Sequence, residues 1–208
     1  MTTPTRITTH NKEYTCIERL WIDAADNEIS IVLTEGEMEH IKTLADAKSA
    51  RYQKRKFDEK GLSPYKSNAS HSHFVGMACE YGAWLILDEI IKVYGLNTFL
   101  SPVFKMENRE SECDLILNDT RIEVKGMPRG AWFNYGACVT AHQKKRIQKK
   151  ADVILWVTII EQTRRVIIKG FSNVADIDKV EPTLTGNDTK KILNHVMTDY
   201  VKPITEMF

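Results

Sequence analysis

The sequence CDLILNDTRIEVK occupies residues 113–125, and the rest of the chain can be built outward from it. Its apolar residues recur at alternate positions on either side of a central Asn-Asp pair: Leu115, Leu117, Ile122 and Val124. This period of two is typical of half-buried antiparallel strands. Asn and Asp tolerate the left-handed backbone of a tight turn. We therefore predict a β-hairpin whose two-residue loop is Asn118-Asp119.

The register of this hairpin brings two carboxylates together. With a two-residue loop, Leu117 pairs with Thr120, and counting back along the strands places Asp114 opposite Glu123. Directly opposed residues have Cβ atoms about 5 Å apart, so two ionised carboxylates there repel by about 3 kcal/mol at an effective dielectric constant near 20. A divalent cation would turn that repulsion into a binding site, because one or two carboxylates usually hold Mg²⁺ together with water and phosphate oxygens.

Lys125 lies two residues beyond Glu123, so its side chain points to the same face of the strand. Its ammonium group could orient a phosphate or an attacking water. The alternative is a hairpin whose wet face simply carries mixed, solvated charge, since in full water the repulsion falls below about 1 kcal/mol. The hairpin alone leaves both interpretations open.

Length and composition predict one globular domain. The chain has 208 residues, of which 42% are hydrophobic and 27% charged, as in soluble proteins. Its longest apolar run, Val153–Ile160, is too short for a membrane span. Residues 1–10 lack the apolar core of a signal peptide, so we expect a cytoplasmic protein. The four cysteines are isolated and are expected to be reduced thiols: Cys16, Cys79, Cys113 and Cys138.

The formal net charge of +1 hides an uneven distribution. Residues 121–150 contain eight Lys or Arg and one acid, which gives +7, whereas the remainder has 21 basic and 27 acidic residues, which gives −6. Positive charge clustered beside a candidate metal site suits a polyanion such as DNA. A solvated basic helix is the alternative interpretation.

Two helices are predicted before the hairpin. Residues 28–33 are predicted to form a strand, after which Thr34 and Glu37 have the spacing of a capping box that starts the first helix. Ser72 is predicted to cap the second helix, and Gly95 to end it.

A polar connection at residues 60–73 is predicted to be a loop between these helices. His71 and His73 fall at its end, and a His-x-His pair is a candidate for metal binding, although no third ligand has an evident spacing.

The second helix carries one carboxylate, Glu80, on a face that it shares with Gly76 and Trp84. A carboxylate among Ala, Cys, Tyr and Trp side chains is costly unless it is paired, hydrogen-bonded or close to a metal. We therefore expect Glu80 either to join the candidate metal site or to be satisfied by a local donor.

An aromatic segment follows the hairpin. Residues 126–136, GMPRGAWFNYG, are predicted to form a loop. Arg129 and Trp132 are candidate nucleic-acid contacts, and Phe133 and Tyr135 add further rings that could stack or wedge against bases. These rings could equally anchor the loop to the core.

The last third of the chain is predicted to contain a basic helix between two strands. Residues 137–140 are a predicted short strand, and a helix then opens with four candidate nucleic-acid contacts: Gln143, Lys144, Lys145 and Arg146. Val153–Ile160 is typical of a buried central strand, with residues 165–169 as its hairpin partner or neighbour. Residues 187–197 are predicted to form a helix that closes the domain.

In this order, the elements resemble the PD-(D/E)xK nuclease superfamily, which has the restriction-endonuclease-like fold. The resemblance covers residues 72–160. Its central motif is Asp114-x8-Glu123-x-Lys125, in the expected strand context, with Cys113 at the position that is Pro in the family pattern.

Two flanking features define how far the resemblance extends. Gly76-x-x-x-Glu80 is similar to the helix that precedes the motif. Gln143 is followed four residues later by Ile147, so the resemblance does not extend to exonucleases with a Gln-x-x-x-Tyr element.

The resemblance implies an α/β fold with a restriction-endonuclease-like core, in which helices flank a central mixed β-sheet. Residues 72–170 would form the nuclease core. Residues 1–71 would be an N-terminal strand and helix extension, and residues 171–208 a C-terminal helical closure, all packed as one compact domain.

The resemblance also implies hydrolysis of a phosphodiester bond with Mg²⁺, or with Mn²⁺ in its place. Asp114 and Glu123 would hold the metal, with the Val124 carbonyl as a further ligand. Glu80 would reach the metal through water or hold a second ion. Lys125 would orient or polarise the attacking water, while the metal offsets charge in the transition state.

From the resemblance we expect a DNA endonuclease of the restriction, phage DNA-processing or repair type. No separate DNA-reading domain is evident, so specificity would come from loops and helices near the site, including Gln143 and Lys144. A homodimer is one candidate assembly, because cutting both strands of a duplex needs two sites or two visits. The alternatives are a catalytically silent nucleic-acid-binding module of the same fold and a structure-specific or RNA-directed nuclease.

Overall fold

The computed structural model of the protein describes residues 4–9, 12–60, 69–102, 113–187 and 190–208. Within these residues, nine strands form one large mixed sheet, three strands form a small sheet, and four α-helices accompany them. The expected α/β class, with a large mixed sheet flanked by helices, is therefore confirmed. None of the described helices is long and apolar enough to cross a membrane.

The first half of the chain forms one edge of the large sheet and both long helices. In chain order the elements are β1 (Thr5–Thr9), β2 (Lys12–Ile17), β3 (Leu20–Asp23), β4 (Glu28–Val32), α1 (Glu35–Lys60) and α2 (Ala69–Tyr94). The predicted capping box is confirmed at the start of α1. The Thr34 N–H donates to Glu37 Oε2 at 2.7 Å, and the Glu37 N–H donates to Thr34 Oγ1 at 3.2 Å.

The second half supplies the remaining elements: β5 (Leu100–Pro102), β6 (Leu115–Leu117), β7 (Thr120–Pro128), α3 (Arg129–Tyr135), β8 (Cys138–Thr140), α4 (Lys144–Lys150), β9 (Val153–Ile160), β10 (Arg165–Asn173), β11 (Thr183–Asn187) and β12 (Lys190–Val196). The strand order is β1-β2-β3-β4-β10-β9-β7-β6-β5 in the large sheet and β11-β12-β8 in the small one. Strands β7 and β9 are parallel. The segment between them, with α3, β8 and α4, is the crossover that a parallel pair requires.

Strand β9 lies at the centre of the core and is buried along nearly its whole length. Leu155 and Val157 pack in the layer under α1 and α2, whereas Ile154 and Trp156 pack on the other face of the sheet with residues of α4 and β8. The Trp156 indole N–H donates to Ser172 Oγ at 2.9 Å, so its polar atom is satisfied. The predicted buried central strand and its antiparallel neighbour β10 are confirmed.

The closing helix predicted at residues 187–197 is wrong. Strand β12 lies there and pairs with β8 through His195↔Val139 and Val196↔Cys138, and with β11 on its other side. Pairing on both sides outweighs any local helical preference, and the β-branched Val196 suits a pleated strand. The described part of residues 171–208 therefore contains strands and short 3₁₀ helices in place of the expected helical closure.

The predicted start of the second helix at Ser72 is also wrong, because α2 already includes Ala69. The predicted loop at residues 60–73 falls partly on residues 61–68, which lie outside the described residues, and its last part belongs to α2. The predicted end is confirmed, since α2 stops before Gly95, which has a φ of 61°.

This helix separates the two histidines of the His-x-His pair. Residues two positions apart on a helix do not face each other, so His71 and His73 cannot converge on one metal ion. His71 Nε2 instead lies 3.5 Å from Glu161 Oε1, and burial, assisted by the charge of Lys48, lowers the pKa of His73.

The loop predicted at residues 126–136 is wrong as well, since β7 extends into this segment and α3 occupies the rest. Gly126 serves packing: a Cβ atom at this position would lie 2.4 Å from the Cβ atom of Cys79, so glycine lets α2 approach β7. Gly136, with a φ of 60°, is the C-cap of α3.

Candidate functional site

The hairpin of β6 and β7 has the predicted register. Leu117 pairs with Thr120 and Leu115 with Ile122, so the loop consists of two residues. Asn118, the first of them, has a φ of 52°, which is the left-handed conformation that a tight turn requires. The Asp114 N–H donates to the carbonyl of Ile122 at 2.9 Å, although Ile122 is the partner of Leu115, so Asp114 lies just outside the regular ladder.

Asp114 and Glu123 therefore approach each other at the open end of the hairpin. Asp114 is 8% exposed, and its Oδ2 accepts a hydrogen bond of 2.8 Å from the Val124 N–H. Burial and the nearby charge of Glu123 raise the pKa of Asp114 to about 6. Two buried carboxylates close together repel, and this raised pKa is the expected consequence.

Glu123 lies between two ammonium groups. Lys125 Nζ donates to Glu123 Oε1 at 2.7 Å, which confirms that the two side chains share a face. Lys150 Nζ forms an ion pair with Glu123 Oε2. Burial acts to raise the pKa of Glu123, but the two lysines outweigh it, and the pKa lies below its ordinary value.

Glu80, on α2, is the third carboxylate of the group. Burial, the charge of Asp114 and, more weakly, the charge of Glu123 raise the pKa of Glu80 to about 8, while Lys48 and Lys150 oppose the rise. The structure thus brings the helix carboxylate into electrostatic contact with both hairpin carboxylates, as the sequence suggested.

The atoms of this site that could bind a metal are oxygens, which suit a hard divalent cation. The N–H and C=O of one strand residue point to the same side, so the Val124 carbonyl faces the Asp114 side of β7. Glu123 Oε2 is buried and lies against Lys150 Nζ. Carboxylate oxygens together with a backbone carbonyl are the ligands that Mg²⁺ takes, so these residues fit Mg²⁺ or Mn²⁺.

The described residues contain no group of three or more His, Cys, Asp or Glu side chains that could already hold a metal ion. Both oxygens of Glu123 lie against lysine ammonium groups in this arrangement. A cation would therefore have to compete with a lysine for at least one carboxylate oxygen.

The predicted nucleic-acid contacts at the start of α4 lie apart from the three carboxylates. Lys145 and Arg146 are exposed, whereas Lys144 Nζ is held by Asp178 Oδ1 at 2.7 Å. Gln143 forms the N-cap of α4, and its backbone carbonyl accepts the N–H of Ile147.

The predicted contacts on α3 have different surroundings. Trp132 is half-buried and packs against the second core, which consists of the buried residues between the sheet, α4 and β8. Lys169 lies over its ring, with Nζ 5.5 Å from the ring centroid. It anchors α3, in agreement with the alternative interpretation of the aromatic segment. The Arg129 guanidinium lies 5.3 Å from the centroid of Phe133, whose side chain is 70% exposed, and both border a groove of about 340 Å³.

Two lysines of the site were not among the predicted site residues. Lys150 ends α4 three residues after the buried Ile147, and Lys48 acts on Glu80 from α1. The spacing of Ile147 and Lys150 on one helix face was the available signal for Lys150. No comparable pattern marks Lys48, because its position depends on how α1 packs against α2.

Comparison of the chain with protein-family models, curated proteins and solved structures finds no match. The functional interpretation therefore depends on the chemistry of the site itself. Its components are three carboxylates within electrostatic reach of one another, and two lysines that contact one of them, Glu123.

Proposed function

We propose that this protein is a divalent-metal-dependent nuclease that hydrolyses phosphodiester bonds in DNA, built on a restriction-endonuclease-like core of the PD-(D/E)xK kind. One observation carries the proposal. Asp114 and Glu123 meet across a hairpin, with Lys125 bonded to Glu123 at 2.7 Å and Glu80 within electrostatic reach.

The chain topology around this hairpin supports the proposal. The antiparallel pair β6 and β7 is followed by a crossover into β9, which is parallel to β7, and α2 packs under the same strands. This is the order of elements on which the resemblance to the superfamily was based.

Asp114, Glu123 and the Val124 carbonyl would hold Mg²⁺, or Mn²⁺ in its place, and Glu80 would reach the ion through water or hold a second one. When bound, such an ion makes water a better nucleophile and offsets charge on the phosphate. The buried carboxylate oxygens of Asp114 and Glu123 fit this role.

Lys125 would act on the attacking water. Its ammonium has three donors, and only one of them is needed for Glu123 Oε1. A second can hold the water or a phosphate oxygen on the same face of β7. Because the side chain is only 16% exposed and already tethered, little freedom is lost when it does so.

Two basic residues near the start of α4, Lys145 and Arg146, would hold the DNA backbone. Both are exposed, and the last residue of the same helix reaches the site. Lys and Arg side chains near a duplex release counterions from the phosphates, and this provides affinity without sequence preference. Arg129 and the exposed Phe133, beside the groove at the end of β7, are candidates for base contacts.

The first candidate is an endonuclease of the restriction, phage DNA-processing or repair type, with a homodimer as one assembly. A second candidate is a nucleic-acid-binding module without catalysis. It is favoured by one observation, the contact of both Glu123 oxygens with lysines, which neutralises the carboxylate without any metal.

The test is to incubate the native protein with supercoiled plasmid, linear duplex, single-stranded and branched DNA, and RNA. Each substrate is presented with Mg²⁺, Mn²⁺ or EDTA. The proposal expects cutting of DNA with either metal and none with EDTA, with discrete fragments if cutting is sequence-specific. Binding without cutting of any substrate supports the silent module, and cutting of RNA alone supports an RNA-directed nuclease.

A further inference from the structure

Glu123 is enclosed by two lysines that come from different elements. Lys125 follows it on β7, and Lys150 ends α4. The side-chain exposures are 16% for Lys125, 18% for Lys150 and 4% for Glu123, so the cluster is shielded from solvent. Only Lys125 has the spacing of the superfamily motif. Lys150 lies outside that motif.

The position of Lys150 is fixed by the packing around it. Ile147 is buried in the second core one helical turn earlier, so Lys150 lies on the sheet-facing side of α4. Arg121 of β7 holds the end of the helix, since it donates to the Lys149 carbonyl at 3.4 Å and to Asp152 Oδ1 at 2.7 Å. The neighbouring Lys149 side chain points to solvent.

The two lysines contact Glu123 differently. Lys125 donates a hydrogen bond to Oε1, whereas Lys150 pairs with the other, buried oxygen, Oε2. Lys150 therefore compensates charge at the oxygen that a cation would need. A flexible four-carbon stem lets an ammonium group move aside, which a rigid guanidinium fork held by two hydrogen bonds would not do as readily.

We infer that Lys150 is a built-in counter-cation of the metal site, which neutralises Glu123 when no metal is bound and releases Oε2 to a divalent cation when DNA is cut. This inference rests on the proposed nuclease function and adds a residue to it. Once released, the Lys150 ammonium faces the phosphate group and stabilises the negative charge that develops there.

The inference predicts opposite effects on two measurements. Removal of the Lys150 charge leaves Oε2 without a competitor, so Mn²⁺ binds about tenfold more tightly. The same change removes a positive charge from the phosphate, so the cleavage rate at saturating Mn²⁺ falls about 100-fold. A merely structural role for Lys150 would weaken metal binding and cleavage together.

The experiment compares the full-length native protein with Lys150→Gln, and with Lys149→Gln as the matched control that removes the same charge one residue away. Mn²⁺ affinity is measured by titration calorimetry, plasmid cleavage at saturating Mn²⁺ by gel, and folding by thermal melting. Tighter Mn²⁺ binding with slower cleavage in Lys150→Gln, and native values in Lys149→Gln, is the expected result. Equal effects of the two substitutions, or weaker Mn²⁺ binding in Lys150→Gln, would overturn the inference.

If Lys150→Gln does not fold, a second variant, Lys150→Arg, still tests the inference. A guanidinium binds a carboxylate through two hydrogen bonds, so Lys150→Arg is expected to bind Mn²⁺ several-fold more weakly than the native protein. Unchanged or tighter binding in this variant contradicts the inference. A native protein that neither cuts DNA nor binds Mn²⁺ overturns the proposed function and the inference with it, whereas native cutting with an inert Lys150 overturns the inference alone.

Discussion

Asp114 Oδ2 accepts a hydrogen bond from the backbone N–H of Val124, 2.8 Å away on the partner strand. The side chain that would bind a metal therefore also closes the open end of the hairpin. Charge and hydrogen bonding can be separated at this residue, because an amide oxygen can replace the carboxylate as acceptor but carries no charge.

Substitution of Asp114 is expected to change stability according to whether the acceptor is kept. Asp114→Asn retains an acceptor for the Val124 N–H and removes repulsion from Glu123, so its free energy of unfolding at pH 7 should equal or exceed the native value. Asp114→Ala leaves that N–H unpaired and should lose about 1–3 kcal/mol. Urea unfolding of both variants measures the difference, and two equally destabilised variants would disprove this role for the hydrogen bond.

Lys125→Gln is expected to lower the plasmid cleavage rate by a factor of about 100 to 1,000, because it removes a positioned charge next to the reacting phosphate. DNA affinity should change little, since Lys125 is one of many basic groups. The control is Lys92→Gln on α2, where the lysine is exposed and paired with Asp88. Equal cleavage rates in the two variants would show that Lys125 plays no part in the chemistry.

The exposed Lys145 and Arg146 are expected to contact DNA phosphates. The double variant Lys145→Gln/Arg146→Gln should reduce the slope of log affinity against log salt concentration by about 0.9 for each lost phosphate contact on duplex DNA. Fluorescence anisotropy over a range of salt concentrations measures the slope. The control is Lys42→Gln. Lys42 is exposed on α1, which packs on the opposite face of the sheet from α4, so this substitution should leave the slope unchanged. A slope that is also unchanged in the double variant places the DNA elsewhere.

The ion pair of Asp152 and Arg121 is expected to make stability depend on pH. Hydrogen bonds from Arg121 hold the pKa of Asp152 below its ordinary value. A lowered folded-state pKa stabilises the protein above the unfolded-state pKa of about 3.9, and this contribution disappears as pH falls toward the folded-state pKa. Asp152→Asn should therefore be less stable than the native protein at pH 7 and approach it below about pH 4. A difference that stays constant from pH 7 to pH 3 in urea unfolding would contradict this assignment.

The local features of the site were predictable from the sequence because their causes are local. Alternating apolar residues and the turn chemistry of Asn118-Asp119 determine the hairpin register. That register leaves Asp114 beside the last pair, close enough to Glu123 for the two charges to interact. The continuous apolar run of β9 marks a strand that is buried on both faces.

Other features depend on contacts between distant parts of the chain. Strand β12 forms because β8 and β11 lie on either side of it. Glycine is needed at position 126 because α2 crosses β7 there. The residues next to each of these positions in the sequence indicate neither feature. Lys150 belongs to the site only because α4 is packed with its last turn against β7. The sequence shows a basic helix, but not which of its lysines turns inward.

Plasmid nicking by Asp114→Asn, compared with Asp119→Asn, tests the central claim most directly. The two substitutions make the same chemical change in one hairpin, but Asp114 is buried at the site and Asp119 is exposed in the turn. In Mg²⁺ or Mn²⁺, the native protein and Asp119→Asn are expected to cut supercoiled DNA, while Asp114→Asn is expected to be inactive although folded. Metal-dependent cutting by Asp114→Asn at the native rate would contradict the proposed site.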